Sequence, residues 1–304
     1  MISFQRIIFP VDLSPQSVAA APFVKAVASR FQSEVLLLHV VEVPPAWYGT
    51  PEAGAYDPLI DISSMLEDRR EALRTYLTNE LSDIPIQRCV QSGDPALRIT
   101  QYAHQKKADL IMMPTHGYGP FRGLLLGSVT AKVLHDAECP VWTTVHASET
   151  AINAGRPWRH LVCAVDDDSR DVPLVRWAAE LASAQGAELQ LVHAVTGFEE
   201  DPSAGVNDPL REFLFNVARE RIDKLQAEAG TKLELCIASG DPGKVVQDFA
   251  TRRSADLVWS AEVKSKNISA GCVVTLTPSS GMLLAPLSAF ELGEFTQHSK
   301  GLLG

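Results

Sequence analysis

Residues 6–41 read RIIFPVDLSPQSVAAAPFVKAVASRFQSEVLLLHVV, and residues 160–195 read HLVCAVDDDSRDVPLVRWAAELASAQGAELQLVHAV. The two stretches align without a gap at an offset of 154, and nine of their 36 positions are identical. Average residue usage would give roughly two by chance. The identities include Val11/Val165, Asp12/Asp166, Leu37/Leu191, His39/His193 and Val41/Val195. Each stretch has the same grammar. A short apolar run, Ile7–Val11 in the first, reads as a buried strand. Ser14 then Pro15 supplies an N-cap followed by proline at the first helical position. Apolar residues at helical spacing continue to Phe31, and Val35–Val41 reads as a second buried strand.

A second pair of segments extends the repeat. Ser92-Gly-Asp-Pro95 matches Ser239-Gly-Asp-Pro242, and Ala108-Asp-Leu110 matches Ala255-Asp-Leu257, at an offset of 147. The chain is therefore read as two copies of one domain, residues 1–147 and 159–304. The joint between them, Ser148–Trp158, is rich in Ala, Asn, Gly and Pro and reads as a linker. Within the first copy, Ser64-x-x-Glu67 predicts a capping box for a helix to about Leu81. Ile86–Gln91 predicts a third strand, Pro95 to about Lys106 a helix, and Leu110–Met113 a fourth strand. Ser128–His135 follows as a helix and Val141–Val145 as a fifth strand. Strands that are apolar throughout and alternate with helices predict a doubly wound α/β fold, with a parallel sheet covered on both faces.

Composition narrows the function classes. The chain has 304 residues, 46% of them hydrophobic and 21% charged, which is a globular composition large enough for two domains. The net charge of −10 opposes binding to a phosphate backbone, so nucleic acid is not an expected partner. A small anionic ligand remains compatible, because backbone N–H groups hold phosphate without net positive charge. No apolar run approaches the ~18 residues of a membrane span. The five cysteines are scattered and form no CxxC, which predicts buried thiols in a reducing compartment, the cytoplasm.

The segment Thr115-His-Gly-Tyr-Gly-Pro-Phe-Arg-Gly-Leu-Leu-Leu-Gly-Ser128 carries the chemistry. It is a glycine-rich loop running from the fourth strand into a helix that starts near Ser128. Gly117, Gly119, Gly123 and Gly127 let backbone approach a ligand. The N–H groups of Ser128, Val129 and Thr130 then lie at a positive helix terminus with unpaired donors, a phosphate site. The Ser128 hydroxyl adds a donor or caps the helix. Asp12, just past the first strand, belongs to the same sheet edge, where carboxylates accept from ribose hydroxyls. The plainer reading makes Asp12 a turn residue and the glycines a surface loop. Both features at one end of one sheet favour a nucleotide. No GxxxxGK[ST] or GxGxxG occurs, so neither a P-loop NTPase nor a dinucleotide fold is indicated.

These residues resemble the universal stress protein family. The resemblance rests on Asp12-x-Ser14 after the first strand, His39-Val40 ending the second, and Gly117-x9-Gly127-Ser128 after the fourth. The runs LLLGSVTAKVL and AECPV continue it. It covers nearly all of residues 3–146 and, for strands and early helices, extends to about residue 260. It implies a five-stranded parallel sheet of order 3-2-1-4-5 flanked by helices in each half, the second incomplete. It also implies ATP or AMP binding, with or without Mg2+, and pairing through the fifth strand. In tandem members the two halves pair, and a homodimer is open as well. Asp12 would take the ribose, Pro10 and Val40 the adenine, and Gly117, Gly127, Ser128 and Val129 the phosphates. Where the family loop usually opens with glycine, this chain has Pro114, which has no N–H to donate.

The second half departs from this pattern. Asp166-Asp-Asp168 adds negative charge, and Ala261-Glu-Val-Lys264 stands where Pro114–Gly117 stands in the first half. No glycine loop follows, so no phosphate site of the usual kind is expected there. Cys272-Val-Val-Thr-Leu276 is the candidate fifth strand, and the tail, 261–304, is divergent. His39 and His193 are read as packed strand residues rather than metal ligands. His116 is the one histidine placed to face a phosphate. Phe213, Leu214, Val217 and Leu225 are expected on a core face. The 44–58 stretch, with Trp47, Tyr48 and Tyr56, reads as a loop. Three functions stay open. One is a nucleotide-binding stress or signalling module, another a slow ATPase on the same site, and the last a scaffold or lipid-like-ligand protein that binds no nucleotide. Turnover abolished by Gly127→Val would mark the second, and absence of any bound nucleotide the third.

Overall fold

The computed structural model describes residues 3–42, 62–114, 127–144, 157–166, 171–196, 209–263 and 268–275. In the first half, β1 (Arg6–Pro10), α1 (Pro15–Phe31), β2 (Glu34–Val41), α2 (Ile62–Thr75) and β3 (Ile86–Ser92) are followed by α3 (Pro95–Lys106), β4 (Leu110–Pro114), α4 (Ser128–Asp136) and β5 (Val141–Thr144). The second half contains β6 (His160–Ala164), α5 (Val172–Gln185), β7 (Glu188–Val195), α6 (Pro209–Ala229), β8 (Glu234–Ser239), α7 (Pro242–Arg252), β9 (Leu257–Val263) and β10 (Ile268–Thr275). The first half is the expected sheet of order 3-2-1-4-5, with every neighbouring pair parallel. In the second, β8-β7-β6-β9 repeats the first four positions, also parallel. Among the described residues the second half has no parallel fifth strand, so the second domain is incomplete.

β10 takes the fifth position in the opposite direction. It pairs antiparallel with β9, Val273 opposite Trp259, and parallel with β5, Val273 opposite Trp142. Only four residues, 264–267, separate β9 from β10. A parallel return needs a crossover of about a dozen residues or more, so this connection allows only an antiparallel return. Through β10 the ten strands run as one sheet, β3-β2-β1-β4-β5-β10-β9-β6-β7-β8.

Strand parity decides which core each residue joins, because successive side chains point to opposite faces. Ile7, Phe9, Val35, Leu37, Leu110 and Met112 face α1 and α2, while Ile8, Leu36, Leu38, Ile111 and Met113 face α3 and α4. The first of these cores continues without a break into the second half, where Leu161, Cys163, Leu189 and Leu191 meet α5 and α6. Aromatic rings fill the junction. Trp142 lies 5.5 Å from Phe4 and 5.6 Å from Trp158, Phe4 lies 6.1 Å from Trp177, and Trp177 lies 5.8 Å from Trp259. Arg30 stacks over Trp158 at 4.1 Å. Burial lowers the pKa of that guanidinium, and the charge of Asp256 from the other half opposes the shift. Trp158, read from sequence as the last linker residue, is thus a buried core residue.

The repeated sequence blocks turn out to be repeated backbone devices. Gly93 and Gly240 sit at φ +133° and +135°, a region that side chains avoid. Asp94 and Asp241 then cap α3 and α7, accepting from Leu97 N at 2.8 Å and Lys244 N at 2.9 Å. Pro95 and Pro242 open the helices. Asp109 Oδ2 accepts from Gln5 N and Arg6 N, and Asp256 Oδ2 accepts from Arg159 N and His160 N, so each aspartate anchors the start of its own first strand.

Two helix expectations are corrected. Ser64 is the third residue of α2 rather than its N-cap, and α2 ends at Thr75 instead of near Leu81. The early stop has a non-local cause. Arg88 of β3 donates from Nε to Leu73 O at 2.9 Å and from Nη2 to Tyr76 O at 3.2 Å, satisfying carbonyls at the helix end. Leu77 then turns at φ 56°. On α6 the core face is Ala218, Ile222, Leu225 and Ala229, whereas Phe213, expected inside, is 61% exposed.

Candidate functional site

The strand order reverses between β1 and β4, which pair through Ile7↔Leu110 and Ile8↔Ile111. Both strands run on past this pairing, β1 to Pro10 and β4 to Pro114. Doubly wound sheets take ligands at the carboxyl edge of such a reversal. Asp12 follows β1 directly and α4 starts beyond β4, so both belong to this edge.

Pro10 is the last residue of β1, buried and opposite Leu38. Val40 is half-buried on β2 and packs on the α3–α4 core. Next to it, His39 is buried and its Nδ1 lies 2.8 Å from Val11 O. His193 repeats that contact with Val165 O at 2.8 Å, so the matched histidines tie strand ends together, as expected of packed residues. Asp12 is exposed at the edge. Leu13 behind it adopts φ 61°, a left-handed turn unusual for a residue with a side chain. That turn brings two donors onto Asp12 Oδ1, Ser14 N at 3.1 Å and Ser17 Oγ at 2.8 Å. Tyr76 reaches over from beyond α2 and donates to Ser14 O at 3.1 Å.

On the other side of the reversal, α4 starts at Ser128 as the sequence predicts, but Ser128 does not cap it. Gly127 is the N-cap and Ser128 the first helical residue, with no side-chain cap bond. A helix leaves its first N–H groups without intrahelical acceptors, here those of Ser128, Val129 and Thr130. Thr130 uses its hydroxyl instead to donate to Pro114 O at 3.2 Å, which pins the helix to the end of β4. Lys132 pairs with Asp94 at 3.2 Å and ties α4 to α3. Gly117, Gly119, Gly123 and His116 lie outside the described residues, as does the 44–58 loop. Among the described residues, no group of three potential metal ligands occurs and no helix is long and apolar enough to cross a membrane.

In the second half the same edge is built otherwise. Asp166 N donates to Asp171 Oδ2 at 2.7 Å, and Asp171, which matches Ser17 in the repeat, is buried. β9 continues through Val263 and returns as β10, so the four residues between them leave no room for a counterpart of α4.

Sequence reasoning missed Leu13, Ser17 and Tyr76, and the bond of the Thr130 hydroxyl to Pro114 O. Ser17 had one available signal, being a serine in the first copy and an aspartate in the second, next to an aspartate common to both.

The site predicts a pH response. Burial first, and then the charge of Asp12, pushes the Tyr76 phenol up to about 12, against an opposing hydrogen bond with Ser17. Burial also raises the Cys139 thiol to about 12 and raises Cys163 and Tyr102. A raised folded pKa stabilises fully below the unfolded value, and that contribution is lost as pH rises through the folded one. Urea midpoints should therefore fall from about pH 9 upward, and Tyr76→Phe should flatten the decline between about 10 and 12. Midpoints that hold steady over this range would contradict the assignment.

The fold and this edge define a tandem doubly wound α/β protein with a carboxylate and a helix N-terminus at its strand-order reversal. The profile of the Universal stress protein family matches residues 3–144 and 157–265. A universal stress protein of Methanocaldococcus jannaschii is 34% identical over 139 residues, covering 45% of this chain and 80% of its own length. One from Thermus aquaticus is 34% identical over 142 residues, covering 45% and 96%. Among solved structures, a universal stress protein from Archaeoglobus fulgidus aligns with a TM-score of 0.59 over 89% of this chain and 97% of its own, at 19% identity, a likeness of fold. The chain belongs to the universal stress protein family, with the family pattern present in both halves.

Proposed function

We propose that the N-terminal half binds an adenine nucleotide, ATP or AMP, and that the protein serves as a nucleotide-binding module in stress response or signalling. The ribose hydroxyls donate to Asp12. The N–H groups of Ser128, Val129 and Thr130, at the positive end of α4, receive the phosphates. Pro10 and Val40 flank the base, and Gly117 and Gly127 hold the phosphates with Ser128 and Val129. The observation that carries this reading is the convergence of Asp12 and an α4 N-terminus without a side-chain cap on one strand-order reversal. Family membership supports it. The second half contributes packing rather than a second site, and the two halves work as one unit through β10 and the aromatic junction.

Titration calorimetry of the full chain, first freed of any co-purified nucleotide, with ATP and with AMP, with and without Mg2+, tests the reading. One binding event per chain is expected, weakened strongly by Gly127→Val. Absence of heat with either nucleotide at millimolar concentration would overturn it and leave a scaffold role.

A further inference from the structure

Among the described residues, the two halves hold their strand-end aspartates differently at one matched position, Ser17 against Asp171. In both halves the side chain five positions on accepts from the aspartate's own N–H. Asp12 N donates to Ser17 Oγ at 3.4 Å, and Asp166 N donates to Asp171 Oδ2 at 2.7 Å. Only Ser17 also donates, from its hydroxyl to Asp12 Oδ1 at 2.8 Å. A hydroxyl is both donor and acceptor, whereas an ionised carboxylate accepts only. Ser17 is buried in the first turn of α1, and its N–H is held by Ser14 Oγ, so its hydroxyl is presented from a fixed position. Together with Ser14 N, it fixes Asp12 Oδ1 with two donors. Asp171 instead brings a second negative charge beside Asp166.

We propose that Ser17 is the residue that orients the Asp12 carboxylate toward a sugar diol, and that aspartate at position 171 removes this device from the second half, which also lacks a counterpart of α4. This rests on the nucleotide reading above. Ser17 is a positioning residue, acting on the ligand through Asp12. Its effect must therefore appear in sugar discrimination rather than in phosphate affinity alone.

The test compares ATP with 2′,3′-dideoxy-ATP on the full-length protein. In the wild type, ATP should bind at least about tenfold more tightly, the worth of one charge-assisted hydrogen bond. Ser17→Ala should reduce that ratio toward one, with dideoxy-ATP affinity nearly unchanged. Ser17→Thr, which keeps the hydroxyl, should restore it. Ser17→Asp, which copies the second half, should weaken ATP by more than Ser17→Ala does. If Ser17→Ala does not fold, Ser17→Cys carries the same comparison, since a thiol is a weak donor of similar size. An unchanged ratio in Ser17→Ala, with ATP still bound, would overturn the positioning role and leave the nucleotide reading standing. A wild type that binds neither ligand would overturn both.

Discussion

Trp142→Ala should lower stability by about 3–5 kcal/mol, the range for truncating a large buried aromatic. Trp142 is on β5, is 0% exposed, and contacts rings from three other segments. Phe4 precedes β1, Phe23 belongs to α1 and stacks at 6.4 Å, and Trp158 leads into the second half. Shrinking it opens a void that none of these elements can fill without moving another. The void would lie in the one core that both halves share, so unfolding of both halves should shift together. Trp142→Phe separates volume from polarity. The indole Nε1 of Trp142 is buried with no acceptor among the described residues, and a buried donor without a partner is itself unfavourable. The phenylalanine variant loses part of the ring and also that donor, so it should cost well under half of the alanine change. Urea unfolding followed by far-ultraviolet circular dichroism measures both. A loss below about 1 kcal/mol for Trp142→Ala would mean that the ring is not packed as described.

Asp12→Asn should weaken adenine-nucleotide binding about ten- to a hundredfold while leaving the fold intact. The asparagine Oδ1 can still accept from Ser14 N and Ser17 Oγ, so the turn at Leu13 keeps its bonds. What changes is the charge. A hydroxyl donating to a carboxylate is worth about 1.5–3 kcal/mol, and about half of that or less when the acceptor is neutral. Calorimetric titration gives the affinity and thermal unfolding the control. Loss of binding with an unchanged melting temperature supports the ribose role. Unchanged affinity would remove Asp12 from the site.

Much of this architecture is legible in the sequence, because many of the determinants are local. Ser14-Pro15 and Gly93-Asp94-Pro95 announce helix starts within a few residues, and the structure uses them so. Doubly apolar strands with a repeated Val-Asp ending predict the parallel sheet and its edge. The unreadable parts depend on distant partners. α2 stops at Thr75 because Arg88 arrives from β3 to hold its last carbonyls. β10 is a strand in the expected place, but its direction follows from a connection length, not from the apolar run itself. Phe213 sits at helical spacing with core residues yet one turn beyond the face that the sheet covers. At the site, Asp12 and the α4 terminus stand out as residue types in order. Ser17 and Tyr76 do not, because a serine in a helix and a tyrosine after one have many commoner roles. Comparing the two copies, serine against aspartate at one position, recovers part of that signal.

The most direct test of the account is the nucleotide content of protein purified without added ligand, then denatured and quantified per chain by chromatography. About one ATP or AMP per chain is expected, since tight binding to the folded state keeps its ligand through purification. No nucleotide in the released fraction, together with no heat on titration, would contradict it and move the function to the surfaces of a scaffold.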